Sequence, residues 1–179
     1  MEELKRKIKE LAEKVYKELG PFGFIEETKY EVALAYEFRK NRLKYLEQLQ
    51  VNIMYEDQIV KEGKVDFIVF DEKEENGLIV ELKAKEEIEG GFLHQLLKYY
   101  EAIKSEKSGF PKFLSEKIKG GVVLNWRLNK PIRNKLLEGF KEPERISFVL
   151  EPEIEKFSIE YKDIIDLIEI EVPVEKKRK

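Results

Sequence analysis

Asp66, Glu81 and Lys83 are residues whose types and placement could do chemistry. Glu81 and Lys83 close the run GLIVELKAK, in which Leu78, Ile79 and Val80 are typical of a buried strand. Strand side chains alternate, so Ile79, Glu81 and Lys83 share one face while Val80, Leu82 and Ala84 share the other. Asp66 is the only charge in VDFIVF and shares a face with Ile68 and Phe70. Antiparallel pairing of 65–70 with 78–83, about a turn near 71–77, places Asp66 opposite residue 82. Its carboxylate then falls near Glu81 and Lys83 to within one residue of register. Unpaired charge is costly to bury, so such a cluster needs a reason.

One reason is chemical. Carboxylates are hard oxygen ligands for Mg²⁺, which keeps several waters and commonly engages phosphate oxygens. Such an ion acidifies water and offsets charge on a phosphoryl group, while a neighbouring Lys can orient the water or stabilise charge. The alternative left open by these residues alone is an Asp–Lys–Glu salt-bridge cluster at a sheet end. The acid-x-Lys spelling means little by itself, since it recurs at Glu3/Lys5, Glu62/Lys64, Asp71/Lys73 and elsewhere. At Glu81 it continues a buried-type strand.

The elements that must position these groups follow from periodicity. Leu4, Ile8, Leu11, Val15 and Leu19 predict an amphipathic helix over 2–19, closed by Gly20-Pro21-Phe22-Gly23. Tyr30, Leu34 and Phe38 predict a second helix over about 26–41. Leu43–Tyr55, Val65–Phe70 and Leu78–Lys83 read as strands, with Asn76-Gly77 ending the turn between the last two. Phe92, Leu96, Tyr99 and Ile103 predict a helix over 91–104. Lys107–Gly121 reads as a loop or short helix, and Val122–Trp126 as a buried strand. A short helix (131–139), a strand (145–150) and a charged, amphipathic end follow. This order predicts an α/β sandwich with a mixed sheet, with residues 1–127 as the core and 128–179 as a C-terminal extension of the same domain.

Composition narrows the class. A chain of 179 residues is one domain, or one with an appendage. Without Cys there is no disulfide framework, thiolate metal site or iron–sulfur cluster. Charged residues make up 40% of the chain, chiefly Lys and Glu, a composition similar to that of hyperthermophile proteins with surface ion-pair networks. The net charge of −3 leaves no overall basic footprint, so nucleic-acid contact needs a local patch or a metal. Arg39, Lys40, Arg42 and Lys44 form one candidate patch, and a solvated helix end is its plainer reading. A charged helical start and no apolar run of membrane length predict a soluble, cytoplasmic protein. The final EKKRK reads as a frayed tail.

Asp66 followed by Glu81-Leu82-Lys83 resembles the D…(D/E)-x-K core of the PD-(D/E)XK nuclease superfamily. ETKYEVALAYEFR, DFIV, IVELKA, QLLKYYEA and GVVLNW, in that order, are together similar to the GxxExxY proteins over about residues 20–127. The resemblance implies a restriction-endonuclease-like core with a four-stranded mixed sheet flanked by helices. It also implies Mg²⁺-dependent cleavage of DNA phosphodiester bonds, with Mn²⁺ able to substitute, on branched or single-stranded substrates. A homodimer is one form it allows, because the similar Holliday-junction resolvases are dimers. By the same resemblance Asp66 and Glu81 hold the metal, Glu27 extends the carboxylate cluster and Lys83 is the catalytic lysine. Gln95 and Tyr99 match a Q-x-x-x-Y helix motif, in which Gln95 positions the substrate or the lysine. Tyr99 and, from the ExxY helix, Tyr30 are implied to position substrate.

The residues allow plainer roles too: a first-turn Glu27 suits the helix dipole, and Tyr99 suits a core. The chain departs from the family pattern in having Phe24 where a Gly is expected, Val65 where a Pro is, and Phe92 where a His is. His94 reads as an ordinary helix residue. A catalytically inactive module that binds nucleic acid or a protein is the competing reading. Its signature is a lost ligand, and Asp66, Glu81 and Lys83 are all present.

Overall fold

The computed structural model describes residues 1–20, 26–105, 109–128 and 164–171. Helix α1 (Glu2–Leu19) buries Leu4, Ile8, Leu11 and Val15, the predicted stripe. Helix α2 (Glu27–Lys40) lies beside it and buries Tyr30, Leu34 and Phe38. Strands β1 (Tyr45–Tyr55), β2 (Gln58–Phe70) and β3 (Gly77–Lys83) follow, then α3 (Gly90–Lys104), α4 (Lys112–Lys117), β4 (Ile118–Trp126) and β5 (Ile165–Ile170). The strands form one sheet in the order β1-β2-β3-β4-β5. The first two pairings are antiparallel and the last two parallel.

Strand alternation divides the core in two. Phe67, Val69, Val80, Leu82, Leu124 and Trp126 pack against α1 and α2. Ile68, Phe70, Ile79 and Val123 pack with Leu93, Leu96 and Ile103 of α3 on the opposite face. Every residue of β3 is buried, as expected for a central strand covered on both sides. The Trp126 indole N–H donates to the Ala12 carbonyl at 3.1 Å, tying β4 to α1.

Three expectations are corrected. The sheet has five strands rather than four, because Ile165–Ile170 adds an outer strand parallel to β4. Its Asp166 and Glu169 gave this segment the look of a charged end, but they are half-exposed and tolerable at an edge. Strand β2 begins at Gln58 rather than Val65. It pairs with β3 only over Phe67–Phe70, whereas its pairing with β1 continues to Tyr55/Gln58. The two strands therefore project beyond β3 as a two-stranded arm. Finally, β4 starts at Ile118 and takes in both glycines assigned to a loop. The helix over 131–139 and the strand over 145–150 fall outside the described residues.

Those glycines serve close packing. A Cβ on Gly120 would lie 2.4 Å from the Ile164 carbonyl oxygen, which is backbone and cannot rotate away. Gly120→Ala is therefore expected to destabilise the fold by about 1–3 kcal/mol, seen as a melting temperature several degrees lower. No helix among the described residues is long and apolar enough to cross a membrane.

Candidate active site

The β2–β3 ladder stops at Phe67↔Val80, just before Glu81. Backbone N–H groups beyond that point need other acceptors, and two carboxylates supply them. The Leu82 N–H donates to Asp66 Oδ2 at 2.7 Å, and the Ala84 N–H donates to Glu27 Oε2 at 3.0 Å. The parting of an antiparallel and a parallel pair thus draws Asp66 and the first turn of α2 to the end of β3.

Glu81 and Lys83 lie on the other edge of this gap, 3% and 8% exposed. Lys83 Nζ donates to Glu81 Oε1 at 3.0 Å and to the Leu82 carbonyl at 2.6 Å. It also lies 5.2 Å from the centroid of the Phe92 ring, so the position where a His was expected supplies an aromatic face to the ammonium. Gln95 Nε2 donates to Glu81 Oε1 at 3.3 Å and to the Tyr99 hydroxyl at 2.8 Å. Tyr99 is buried, its ring against Gly63, where a Cβ would come within 2.4 Å. It reaches the site through Gln95 and sits in the core rather than on a substrate-facing surface.

Tyr30 is placed away from the reacting groups. It is fully buried, stacked on Trp126 with centroids 5.0 Å apart, and its hydroxyl donates to the Gly20 carbonyl. These contacts are those of packing, a purpose that helical spacing serves as well as substrate positioning. The Arg39–Lys44 patch is also distant. It lies at the C-terminal end of α2, about 20 Å along the helix from Glu27 at 1.5 Å per residue. There Arg39 bonds the Tyr45 hydroxyl and Lys44 faces Glu74. His94 Nδ1 lies 3.0 Å from the Gly90 carbonyl, one turn back in its helix. The position of Phe24 falls outside the described residues.

Two residues missed from the sequence complete the cluster. Gln48 lies in β1 between Glu47 and Leu49, which pair with Phe67 and Val65, and so is level with Asp66. It adopts a φ of 55°, a left-handed conformation rare for a non-glycine residue inside a strand. Its amide bonds Glu31 Oε1 and reaches Asp66 Oδ1 at 3.5 Å. Glu31 is one turn after Glu27 on the same face of α2, a spacing that could have marked it.

Burial is the main electrostatic influence. It pushes the Glu81 carboxyl up to about 7, with Asp66 adding to the rise and Lys83 opposing it. Burial also raises Asp66, against the Leu82 N–H and Lys83. Glu31 is raised by burial first, opposed by the Gln48 bond and reinforced by Asp66. A site that holds carboxyls above their ordinary range invites a cation.

The donor set fits one. Glu81 Oε2 is a buried oxygen with no hydrogen-bond partner, although Oε1 of the same carboxylate has two. Asp66 Oδ1 has only the long contact from Gln48. Among the described residues no three acidic or histidine side chains close around a common point. An ion would rest on Asp66 and Glu81 and complete its shell with water and substrate oxygens, the habit of Mg²⁺. Glu27 is close enough for its charge to raise Glu81, but one of its oxygens is held by Ala84.

The fold is an α/β domain, a mixed five-stranded sheet flanked by helices, with two carboxylates and a lysine gathered where β2 and β3 part. The chain belongs to the PD-(D/E)XK nuclease superfamily, whose family model matches residues 2–123. No curated protein and no solved structure gives a significant match.

Proposed function

We propose that the protein is a Mg²⁺-dependent nuclease, with Mn²⁺ able to substitute, that hydrolyses DNA phosphodiester bonds, and that within its superfamily it is a GxxExxY protein. The observation that carries this reading is Glu81 Oε2, a buried carboxylate oxygen left without a partner beside Asp66. An unsatisfied buried acceptor costs about 1–3 kcal/mol or more, a cost that coordination of a cation removes. Asp66 and Glu81, aided by the charge of Glu27, would hold the ion. When bound, it supplies an acidified water and offsets charge on the phosphoryl group.

The rest is done by the chain itself. Lys83, fixed by the Leu82 carbonyl, Glu81 and the Phe92 ring, presents a preoriented positive charge to the phosphate. Gln95 holds Glu81 in its rotamer, and Tyr99 holds Gln95. The test is incubation of pure protein with linear, single-stranded, flapped and four-way DNA, with and without Mg²⁺ or Mn²⁺. Metal-dependent cleavage is expected. Binding without cleavage in either metal would instead establish a catalytically inactive module.

A further inference from the structure

Gln95 faces a second space besides the acid–lysine cluster. The arm and α3 border an open groove of about 460 Å³, lined by Ile53, Val60 and Lys61 on one side and Gly91, Gln95 and Lys98 on the other. Ile53 and Lys61 are direct cross-strand partners in the arm. Gly91 and Gln95, four residues apart, bring one face of α3 to the groove, and Lys98 follows on the next turn.

The lining is chemically selective. Acids outnumber bases in this chain, 37 to 34, yet no carboxylate lines the groove. Lys61, Lys98 and the His94 imidazole do. Lys98 also pairs with Glu101 at 2.7 Å, but both are more than half exposed, and such pairs are worth little and exchange readily with a stronger anion. Ile53 and Val60 supply apolar surface between the charges. Gly91 adds space: a Cβ there would meet nothing within 4 Å. A groove of this volume suits a single nucleotide unit.

We propose that this groove receives a single nucleic-acid strand beside the phosphate held at Asp66 and Glu81, with Lys61 and Lys98 engaging its backbone phosphates. This rests on the nuclease reading above and adds to it the path of the strand. Gln95 would be the common wall, touching Glu81 on one side and the strand on the other. The arm, which the sheet itself does not require, thereby acquires a use.

The test is binding of a short fluorescein-labelled oligothymidine in EDTA, followed by anisotropy across a salt series. Lys61→Ala with Lys98→Ala is expected to reduce the slope of log K against log salt by about 1.4, at about 0.7 per lost phosphate contact on a single strand. Lys9→Ala, on the exposed side of α1, is the control and should leave it unchanged. Gly91→Leu should fold at least as well as the parent, because the position is open and leucine favours helix. It should nevertheless weaken binding at least about tenfold by filling the groove, a loss of about 1.4 kcal/mol. Unchanged slope and affinity in these variants would overturn the groove even if metal-dependent cleavage is found. Equal weakening of duplex binding would overturn the single-strand assignment. The expected binding losses in a protein that cleaves nothing would sustain the groove and remove the hydrolytic reading instead.

Discussion

Asp66→Asn is expected to lower metal-dependent cleavage by at least about 10²–10³-fold while leaving the melting temperature nearly unchanged. The choice of Asn follows from the geometry. Asp66 Oδ2 accepts the Leu82 N–H where the β2–β3 ladder has ended, and an amide oxygen can keep that bond. Asp66→Ala would leave the N–H of buried Leu82 without its acceptor, at about 1–3 kcal/mol, and confuse a lost ligand with a loosened strand. Lys83→Met separates the steps further. It keeps the apolar stem against Phe92 and removes the charge, so Mn²⁺ binding measured by calorimetry should persist while cleavage disappears. Asp66→Asn should lose both. Cleavage at the parent rate in either variant would sink the assignment of this site.

The carboxylate–lysine arrangement was legible because it breaks a rule of its neighbourhood. Charges in VDFIVF and GLIVELKAK stand out against buried-type strands, and the hairpin relation between them needs only local pairing. The register is off by one residue: Phe67 pairs with Val80, so Asp66 falls level with Glu81 rather than residue 82. That shift decides the face: directly paired residues project to the same side, so the observed register puts Asp66 with Glu81 and Lys83 rather than with Leu82. Helix α1 was equally legible, its stripe being long and regular.

What escaped the sequence has physical reasons. Strand β5 joins the sheet from far along the chain, and its acids hide the alternation that a one-sided edge strand shows. The arm is exposed over Gln58–Glu62, so burial imposes no pattern on it. Gln48 enters the site through a backbone conformation that no residue type announces. Tyr30 and Tyr99 show the reverse limit. A helical spacing that fits a substrate contact fits a core aromatic equally well, and both rings are buried.

The second large effect links protons to the metal. Because the Glu81 carboxyl is raised to about 7 from 4.5, the metal-free fold binds a proton more tightly than the unfolded chain. Its contribution is thus fully present below 4.5 and is lost as pH rises through about 7. Asp66 and Glu31 are raised too and act in the same direction, while the half-exposed Asp71, lowered by its Asn76 and Glu75 contacts against burial, opposes them. In EDTA the protein should therefore be more stable at pH 5.5 than at pH 8, by about 2 kcal/mol from Glu81. Mg²⁺ needs the ionised carboxylate and should reverse the order, stabilising the protein most at pH 8 and releasing a proton on binding near neutrality. Melting curves with and without Mg²⁺ check the first part, and calorimetry in buffers of different ionisation enthalpy checks the second. Glu81→Gln fixes the neutral form, so in EDTA it should flatten the pH dependence and raise stability at pH 8, while losing the response to Mg²⁺. A metal-free protein that is instead most stable at pH 8 would mean that Glu81 is ionised in the fold, with Lys83 alone sufficient to hold its charge.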